Sequence, residues 1–147
     1  MASPDRLLQV PPSCDLTLGM VCVHKRRPGE TTWRMRAAEK FANTAGAMQG
    51  GMLAAFVDSA MGASAVTFLE GRRAFVANTD LSVRFLKPVR IGSILTAEAR
   101  VVSGGRRVAF VEAEVTDDAG RAVARANATY LFTERERTVR GSSVAEL

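Results

Sequence analysis

The chain has 147 residues, 47% of them hydrophobic and 24% charged, which is typical of one globular domain with a real core. No apolar run reaches the ~18 residues that a membrane span needs, and the first residues lack the basic and apolar regions of a secretion signal. We therefore expect a cytoplasmic protein with no membrane partner, in which Cys14 and Cys22 are reduced thiols without metal or redox spacing.

The net charge of +5 is unevenly distributed along the chain. Residues 72–110 contain eight Arg and Lys residues against two acids, whereas residues 111–147 contain five against seven. A basic segment of this kind is usually a solvated face, and the alternative is a site for nucleotide phosphates or nucleic acid. Aromatic residues are few and are not interleaved with the basic ones, so we expect no nucleic-acid partner.

The N-terminal part of the chain predicts an arm followed by two strands. Residues 1–15 form the arm, in which Pro11-Pro12 ends any helix, and a single domain follows over residues 16–133. Residues 16–24 and 31–38 are the strands; in the second, apolar and polar side chains alternate with the period of a half-buried strand.

Residues 50–69 predict a long helix that is apolar almost all round and must therefore be buried. Its only acid is Asp58, and no Lys, Arg or His lies between Lys40 and Arg72 to pair with it. Burying an isolated carboxylate costs several kcal/mol unless it is paired or hydrogen-bonded. Asp58 therefore either has a partner from elsewhere in the fold or has a functional role.

Four further strands are predicted, and they form an antiparallel meander. They cover residues 74–86, 95–101, 111–115 and 121–132. Alternation in the first strand places apolar side chains on one face and four polar side chains on the other: Asn78, Asp80, Ser82 and Arg84. The last strand carries a row of alanines, which suits a strand against which a helix lies closely, and residues 134–147 form a tail.

Several of these residues together resemble a known family. The matching positions are Asn43, Gln49-Gly50-Gly51, Asp58, the run from Asn78 to Pro88, and Gly92. They resemble the hotdog-fold acyl-CoA thioesterases, in particular the subgroup typified by the phenylacetyl-CoA pathway thioesterase, over about residues 30–132. The resemblance implies an α+β hotdog fold, in which a curved antiparallel sheet of five to six strands wraps a long central helix.

The resemblance also implies a function. The expected substrate is a fatty or aromatic acyl-CoA, with no cofactor or metal, and the chain is expected to form homodimers and homotetramers with active sites at the dimer interface. The Gly50 N–H is the implied oxyanion donor, with Gly51 keeping the turn open. Asp58 is the implied general base or nucleophile; it lies about 11 Å along the helix from the glycines, so it would serve the site of a second subunit.

Other site residues are implied less directly. Asn43 would hold a loop or a water, and Asn78 would hold the nucleophilic water beside the acid or make an interface hydrogen bond. Candidate CoA phosphate contacts are Arg84, Lys87, Arg90, Arg106 and Arg107.

The motif departs from the family at one position. Gln49 stands where the family usually has histidine; it can donate a hydrogen bond but cannot titrate. The only histidine, His24, lies well before the motif and is expected to be structural or exposed.

Two other functions are compatible with this sequence. Because Gln49 replaces a histidine, a non-catalytic module that binds acyl-CoA is the alternative to hydrolysis. A hotdog dehydratase is disfavoured, since those enzymes as a rule use a histidine together with an acid. The sequence distinguishes neither the acyl length nor a CoA thioester from a carrier-protein thioester.

Overall fold

The computed structural model describes residues 11–134, in which one long helix packs against a six-stranded sheet. The elements in chain order are α1 (Ser13–Leu18), β1 (Val21–Arg27), β2 (Glu30–Arg36), a 3₁₀ turn (Glu39–Phe41), α2 (Gly50–Phe68), β3 (Ala74–Phe85), β4 (Ile94–Gly104), β5 (Val108–Thr116) and β6 (Ala122–Glu134). The strand order is β1-β2-β4-β5-β6-β3, and all neighbours are antiparallel. This confirms the predicted fold of one long helix on an antiparallel sheet, with β1 and β3 as the edge strands. The prediction that the last four strands form a meander is wrong for β3, which pairs with β6 at the sheet edge while β4 pairs with β2.

Helix α2 is the centre of the core. Leu53, Phe56, Val57 and Ala60 are at most 2% exposed. The sheet face beneath the helix is rich in buried alanines, which let the helix axis come close to the strands: Ala97, Ala99, Ala109, Ala113, Ala124, Ala126 and Ala128. By length and mean hydropathy α2 could cross a membrane, so the expectation that no segment reaches that length is wrong. Its packing on the sheet is that of a core helix.

The predicted N-terminal elements need correction. Residues 13–18 form a helix, so the prediction of a strand over residues 16–24 is wrong in its first part. Pro12 stands at the N-cap of this helix, where the N–H that proline lacks is not needed. Gly19, with φ of 69°, ends it. The predicted arm boundary falls inside α1; residues 1–10 of that arm and 135–147 of the predicted tail lie outside the described residues.

Strand β3 contains a β-bulge at Thr79. Asn78 pairs with Tyr130 and Asp80 pairs with Thr129, so Thr79 is an extra residue on the β3 side. Because paired residues share a face, Asn78 lies on the helix side with Tyr130, whereas Asp80 lies on the opposite side. The prediction that both polar residues share one face is therefore wrong, because alternation does not continue across a bulge.

Gly104 in β4 makes room for the end of α2. A methyl group on Gly104 would lie 2.8 Å from Phe68 Cε1, and the Phe68 ring is held by stacking on Phe132 at 6.3 Å between centroids. We expect Gly104→Ala to lower the free energy of unfolding by about 1–3 kcal/mol, because the ring must shift. The measurement is urea denaturation. Gly105→Ala is the matched control, since no atom lies within 4 Å of its added methyl group; equal losses in both variants would contradict the explanation.

Candidate functional site

The N-terminus of α2 presents two backbone donors without acceptors. Gln49 is the N-cap, with extended dihedral angles and no side-chain capping bond, and its carbonyl accepts the Met52 N–H at 2.9 Å. Neither the Gly50 nor the Gly51 N–H donates a hydrogen bond to any residue between 11 and 134. Unpaired N–H groups and the helix dipole together give partial positive charge at this point. The geometry suits an anion or a polarised carbonyl oxygen.

The loop before α2 is fixed by Asn43. Its Oδ1 accepts the N–H groups of Ala45 at 2.9 Å and Ala47 at 3.1 Å, while its own N–H donates to the Ala47 carbonyl at 2.7 Å. Gly46, with φ of 78°, allows the chain to turn inside this ring of bonds. Asn43 therefore holds the loop that precedes Gly50, which is the first of its two predicted roles; the second was to hold a water.

A cavity of about 350 Å³ opens beside Gly50. Its lining is mostly apolar and includes Met48, Leu53, Phe85, Leu86, Pro88 and Val89, with Asn43 and Lys87 as polar members. The Phe85 ring, 51% exposed, lies so near that a methyl group on Gly50 would come within 3.2 Å of Phe85 Cζ. A Cβ at position 50 would thus crowd the Phe85 ring, and an apolar group in the cavity can lie next to the free Gly50 N–H.

Asp58 has its partners on β3 and β6. Its Oδ1 accepts hydrogen bonds from the Tyr130 hydroxyl at 2.9 Å and from Asn78 Nδ2 at 3.2 Å. The Tyr130 hydroxyl also lies 3.0 Å from the Asp58 carbonyl oxygen. Asp58 Oδ2 accepts no hydrogen bond within the described part of the chain. The carboxylate is therefore oriented through one oxygen, and the other remains available to a water or a substrate.

Tyr130 is a functional candidate that the sequence analysis missed. It is 3% exposed, and burial raises the pKa of its phenol far above the ordinary value; the charge of Asp58 and the hydrogen bond to it act in the same direction. Tyr130 thus stays a neutral donor to Asp58. The signal was present, because the alternation that places Ala124, Ala126 and Ala128 towards the helix continues to residue 130.

The pKa of Tyr130 gives a testable pH dependence. Tyr130 is the only tyrosine, so alkaline ultraviolet difference absorbance reports it alone. We expect no ionisation step near pH 10 while the protein is folded, and a step near pH 10 in denaturant. Because the folded pKa is raised, its contribution to stability is complete below about pH 10 and is lost as the pH rises above that value. An ionisation step near pH 10 in the folded protein would contradict the buried contact of Tyr130 with Asp58. The Tyr130→Phe variant, which has no tyrosine, gives the background absorbance.

The glycine pair and Asp58 are separated within one chain. Gly50 and Asp58 are eight positions apart on α2, or about 12 Å along its axis. One carbonyl group cannot contact both from the same helix. Asn78, by contrast, contacts Asp58 directly and stands immediately before the bulge at Thr79.

The predicted phosphate-binding cations do not form one cluster. Lys87 lines the cavity beside Gly50, and Arg90 pairs with Ala47 in the adjoining loop. Arg84 lies on the other side of the sheet, in a groove of about 730 Å³ that His24 also lines. Arg106 lies at the far end of α2, where its guanidinium pairs with Glu134 at 2.6 Å. Of these four residues, only Lys87 lines the cavity together with Gly50.

No three His, Cys, Asp or Glu side chains come together as a metal site between residues 11 and 134.

The exposed side chain of Gln49 makes no hydrogen bond that caps the helix.

Comparison with known proteins identifies the family. Residues 45–124 match the sequence model of the thioesterase superfamily. The chain is 26% identical over 113 residues to human acyl-coenzyme A thioesterase 13, covering 76% of this chain and 79% of that one. A phenylacetic acid degradation-related protein from Ralstonia eutropha JMP134 is 34% identical, with a TM-score of 0.73 over 82% of this chain and 89% of that one.

The fold of the Escherichia coli PaaI protein from the phenylacetic acid degradation operon is also similar. Its TM-score is 0.76, with 20% identity, over 82% of this chain and 84% of that one. These findings confirm the resemblance and the hotdog fold. Because the family match spans more than half of the 147 residues, the chain belongs to the thioesterase superfamily and is a thioester hydrolase.

Proposed function

We propose that this protein hydrolyses a fatty or aromatic acyl-CoA thioester. The observation that carries the proposal is the pair of free N–H groups at Gly50 and Gly51, together with the mostly apolar cavity that Gly50 lines. A thioester carbonyl oxygen suits those donors, and an apolar acyl group suits side chains such as Leu53 and Phe85. Similarity to an acyl-coenzyme A thioesterase supports CoA as the thiol carrier.

The oxyanion site and the acid would act on opposite sides of one carbonyl group. As water attacks the carbonyl carbon, Asp58 takes its proton and the Gly50 N–H stabilises the negative charge that forms on oxygen. The C–S bond then breaks and the CoA thiolate leaves, taking the proton back from Asp58. CoA thiolate is a good leaving group, so no strong general acid is required.

Asp58 could instead attack the carbonyl carbon itself and form an anhydride, which water then hydrolyses. A single turnover in ¹⁸O-labelled water identifies the nucleophilic route when water opens the anhydride at the Asp58 carboxylate carbon, whereas opening at the acyl carbon gives the same labels as the general-base route. The nucleophilic route leaves label in the Asp58 carboxylate when water attacks the carboxylate carbon, and it puts unlabelled oxygen in the acid product. The general-base route labels the product acid and leaves Asp58 unlabelled.

The site requires a second subunit in this proposal. Gly50 and Asp58 lie about 12 Å apart on α2, so Asp58 of one protomer would face Gly50 of its partner. Strand β3 is a sheet edge of 12 residues, and a second copy could pair with it. Asn78, on this edge strand, contacts Asp58 directly, which would place the carboxylate close to such an interface. We therefore propose a homodimer as the catalytic unit, assembled further into a homotetramer.

Gln49 would have a positioning role. It precedes Gly50, its side chain is exposed, and its amide can donate to a thioester without transferring a proton. Asn78 would hold both Asp58 and the water. The candidates for contacts to the CoA phosphates would be Lys87 and Arg90, near the loop before α2, and Arg84 and Arg106 elsewhere on the fold.

The test is thiol release from a panel of aliphatic and aromatic acyl-CoAs, with an acyl carrier-protein thioester beside each. Saturable release of CoA supports the proposal and gives the acyl class. Release only from the carrier protein would change the substrate. Saturable binding of acyl-CoA without thiol release would favour the non-catalytic module, and Gln49→His would then be the variant in which to look for recovered turnover.

A further inference from the structure

The bulge in β3 is held by a side chain on the face opposite the helix. At Thr79 the regular pairing of β3 with β6 is interrupted. Asp80 Oδ1 accepts the Thr129 N–H at 2.9 Å, so a carboxylate supplies an acceptor to the strand where the bulge lies. The Thr79 hydroxyl also lies 3.5 Å from the Thr129 carbonyl oxygen. Both residues that follow Asn78 therefore contact one residue of β6.

That residue of β6 directly precedes Tyr130. The hydrogen bond between Asp80 and Thr129 therefore lies close in sequence to both donors to Asp58. Asn78 is two positions before Asp80, and Tyr130 is one position after Thr129. If the bulge were lost while residues 81–85 kept their pairing with β6, the first half of β3 would slip by one residue and Asn78 would turn to the other face of the sheet. Its amide could then no longer reach Asp58.

We propose that Asp80 is a positioning residue for Asp58: by bonding the Thr129 N–H it holds the β-bulge that directs Asn78 and Tyr130 onto the Asp58 carboxylate. The inference rests on the proposed function. Asp80 acts only through these two donors, because it lies on the face of the sheet away from α2. Its exposed position also means that substitutions there should leave the core packing unchanged.

The experiment compares Asp80→Ala with Asp80→Asn. The asparagine Oδ1 can still accept the Thr129 N–H, whereas alanine cannot. We expect Asp80→Ala to lower kcat about tenfold with KM little changed, because small misplacements of a catalytic group cost rate rather than binding. Asp80→Asn should remain within about twofold of the wild type, since an amide oxygen keeps the hydrogen bond. Ser82→Ala is the matched control, an exposed residue two positions along the same face of β3.

Repeating Asp80→Ala in a variant that already lacks both donors distinguishes a positioning role from general destabilisation. In the double variant Asn78→Ala, Tyr130→Phe, both donors are already absent, so Asp80→Ala should change kcat by less than about twofold. A further tenfold loss in that background would overturn the inference. So would a wild-type kcat in Asp80→Ala itself.

A readout without turnover keeps this test independent of the proposed function. The chain has three asparagines, so the side-chain amide signal of Asn78 can be assigned in ¹⁵N spectra with Asn78→Ala. Asp80→Ala should shift that signal and speed its solvent exchange, and Asp80→Asn should not. If no acyl-CoA is hydrolysed by the wild type, the proposed function fails, but an unchanged Asn78 signal in Asp80→Ala is what would refute the role of Asp80.

Discussion

Replacing Asp58 by asparagine should lower kcat for acyl-CoA hydrolysis by about 10²–10⁴-fold, the range that a positioned general base contributes. Asparagine has nearly the same shape, and its carbonyl oxygen can still accept the hydrogen bonds of Tyr130 and Asn78. The variant removes only the charge and the basicity. The measurement is steady-state thiol release, with KM expected to change little because the acyl-CoA contacts remain.

The fold of the Asp58→Asn variant must be checked in parallel. Circular dichroism and subunit association should match the wild type, and the variant should still bind acyl-CoA. Asp58→Ala is the second variant, because it also removes the acceptor of Tyr130 and Asn78. Near-wild-type turnover in either variant would show that the carboxylate is not the base or the nucleophile. Loss of binding together with loss of turnover would instead indicate a damaged binding site.

Much of the candidate site could be predicted because its parts are close in sequence. The glycine pair stands at the first residues of α2, and the position of a helix start determines which N–H groups are unpaired. Asp58 was conspicuous as the only acid in an apolar helix, and it does have partners from elsewhere in the fold, Tyr130 and Asn78. Their identity could not be predicted from residues 50–69, because the strands that supply them are distant in the chain.

The bulge at Thr79 shows the limit of period-based reasoning. Alternation predicts one face for Asn78 and Asp80, and a single inserted residue places them on opposite faces. Nothing in the polarity of the run Asn78 to Arg84 indicates an insertion. The bulge becomes visible only from pairing with β6, where Asp80 reaches the backbone of Thr129.

The fold was predicted well wherever local patterns were long. The positions of α2 and the four later strands follow from periodicity and from turn residues, although β4 and β5 extend up to three residues beyond their predicted bounds of 95–101 and 111–115. Short α1 was missed because its six residues carry no clear period. The basic residues were grouped by their positions in the chain, yet Arg84 and Lys87 lie on different faces of the fold and Arg106 lies at the other end of α2. Charge along a sequence does not specify which surface it will occupy.

Gly50→Pro should lower kcat about 10²–10³-fold relative to Gly50→Ala, which is the effect of removing one oxyanion donor. Gly50 is the first helical residue, where proline is tolerated because its fixed φ suits the helix and its N–H is not needed there. Gln49, with φ of −60° and ψ of 130°, already has the extended backbone that a residue before proline adopts. Proline therefore deletes the N–H without breaking α2.

Alanine is the matched control for this deletion because both variants add a Cβ. That Cβ lies 3.2 Å from Phe85 Cζ in either case, so its steric effect is shared. Proline also adds Cγ and Cδ, and Cδ takes the position of the lost hydrogen, so a rise in KM would report that bulk and a fall in kcat the lost donor. Helicity should be similar in the two variants. If Gly50→Pro and Gly50→Ala hydrolyse acyl-CoA at the same rate, the Gly50 N–H does not hold the oxyanion, and the Gly51 N–H becomes the remaining free donor at this helix start. A large difference confined to kcat would instead locate the developing negative charge at Gly50, because a donor used equally in ground and transition states changes KM.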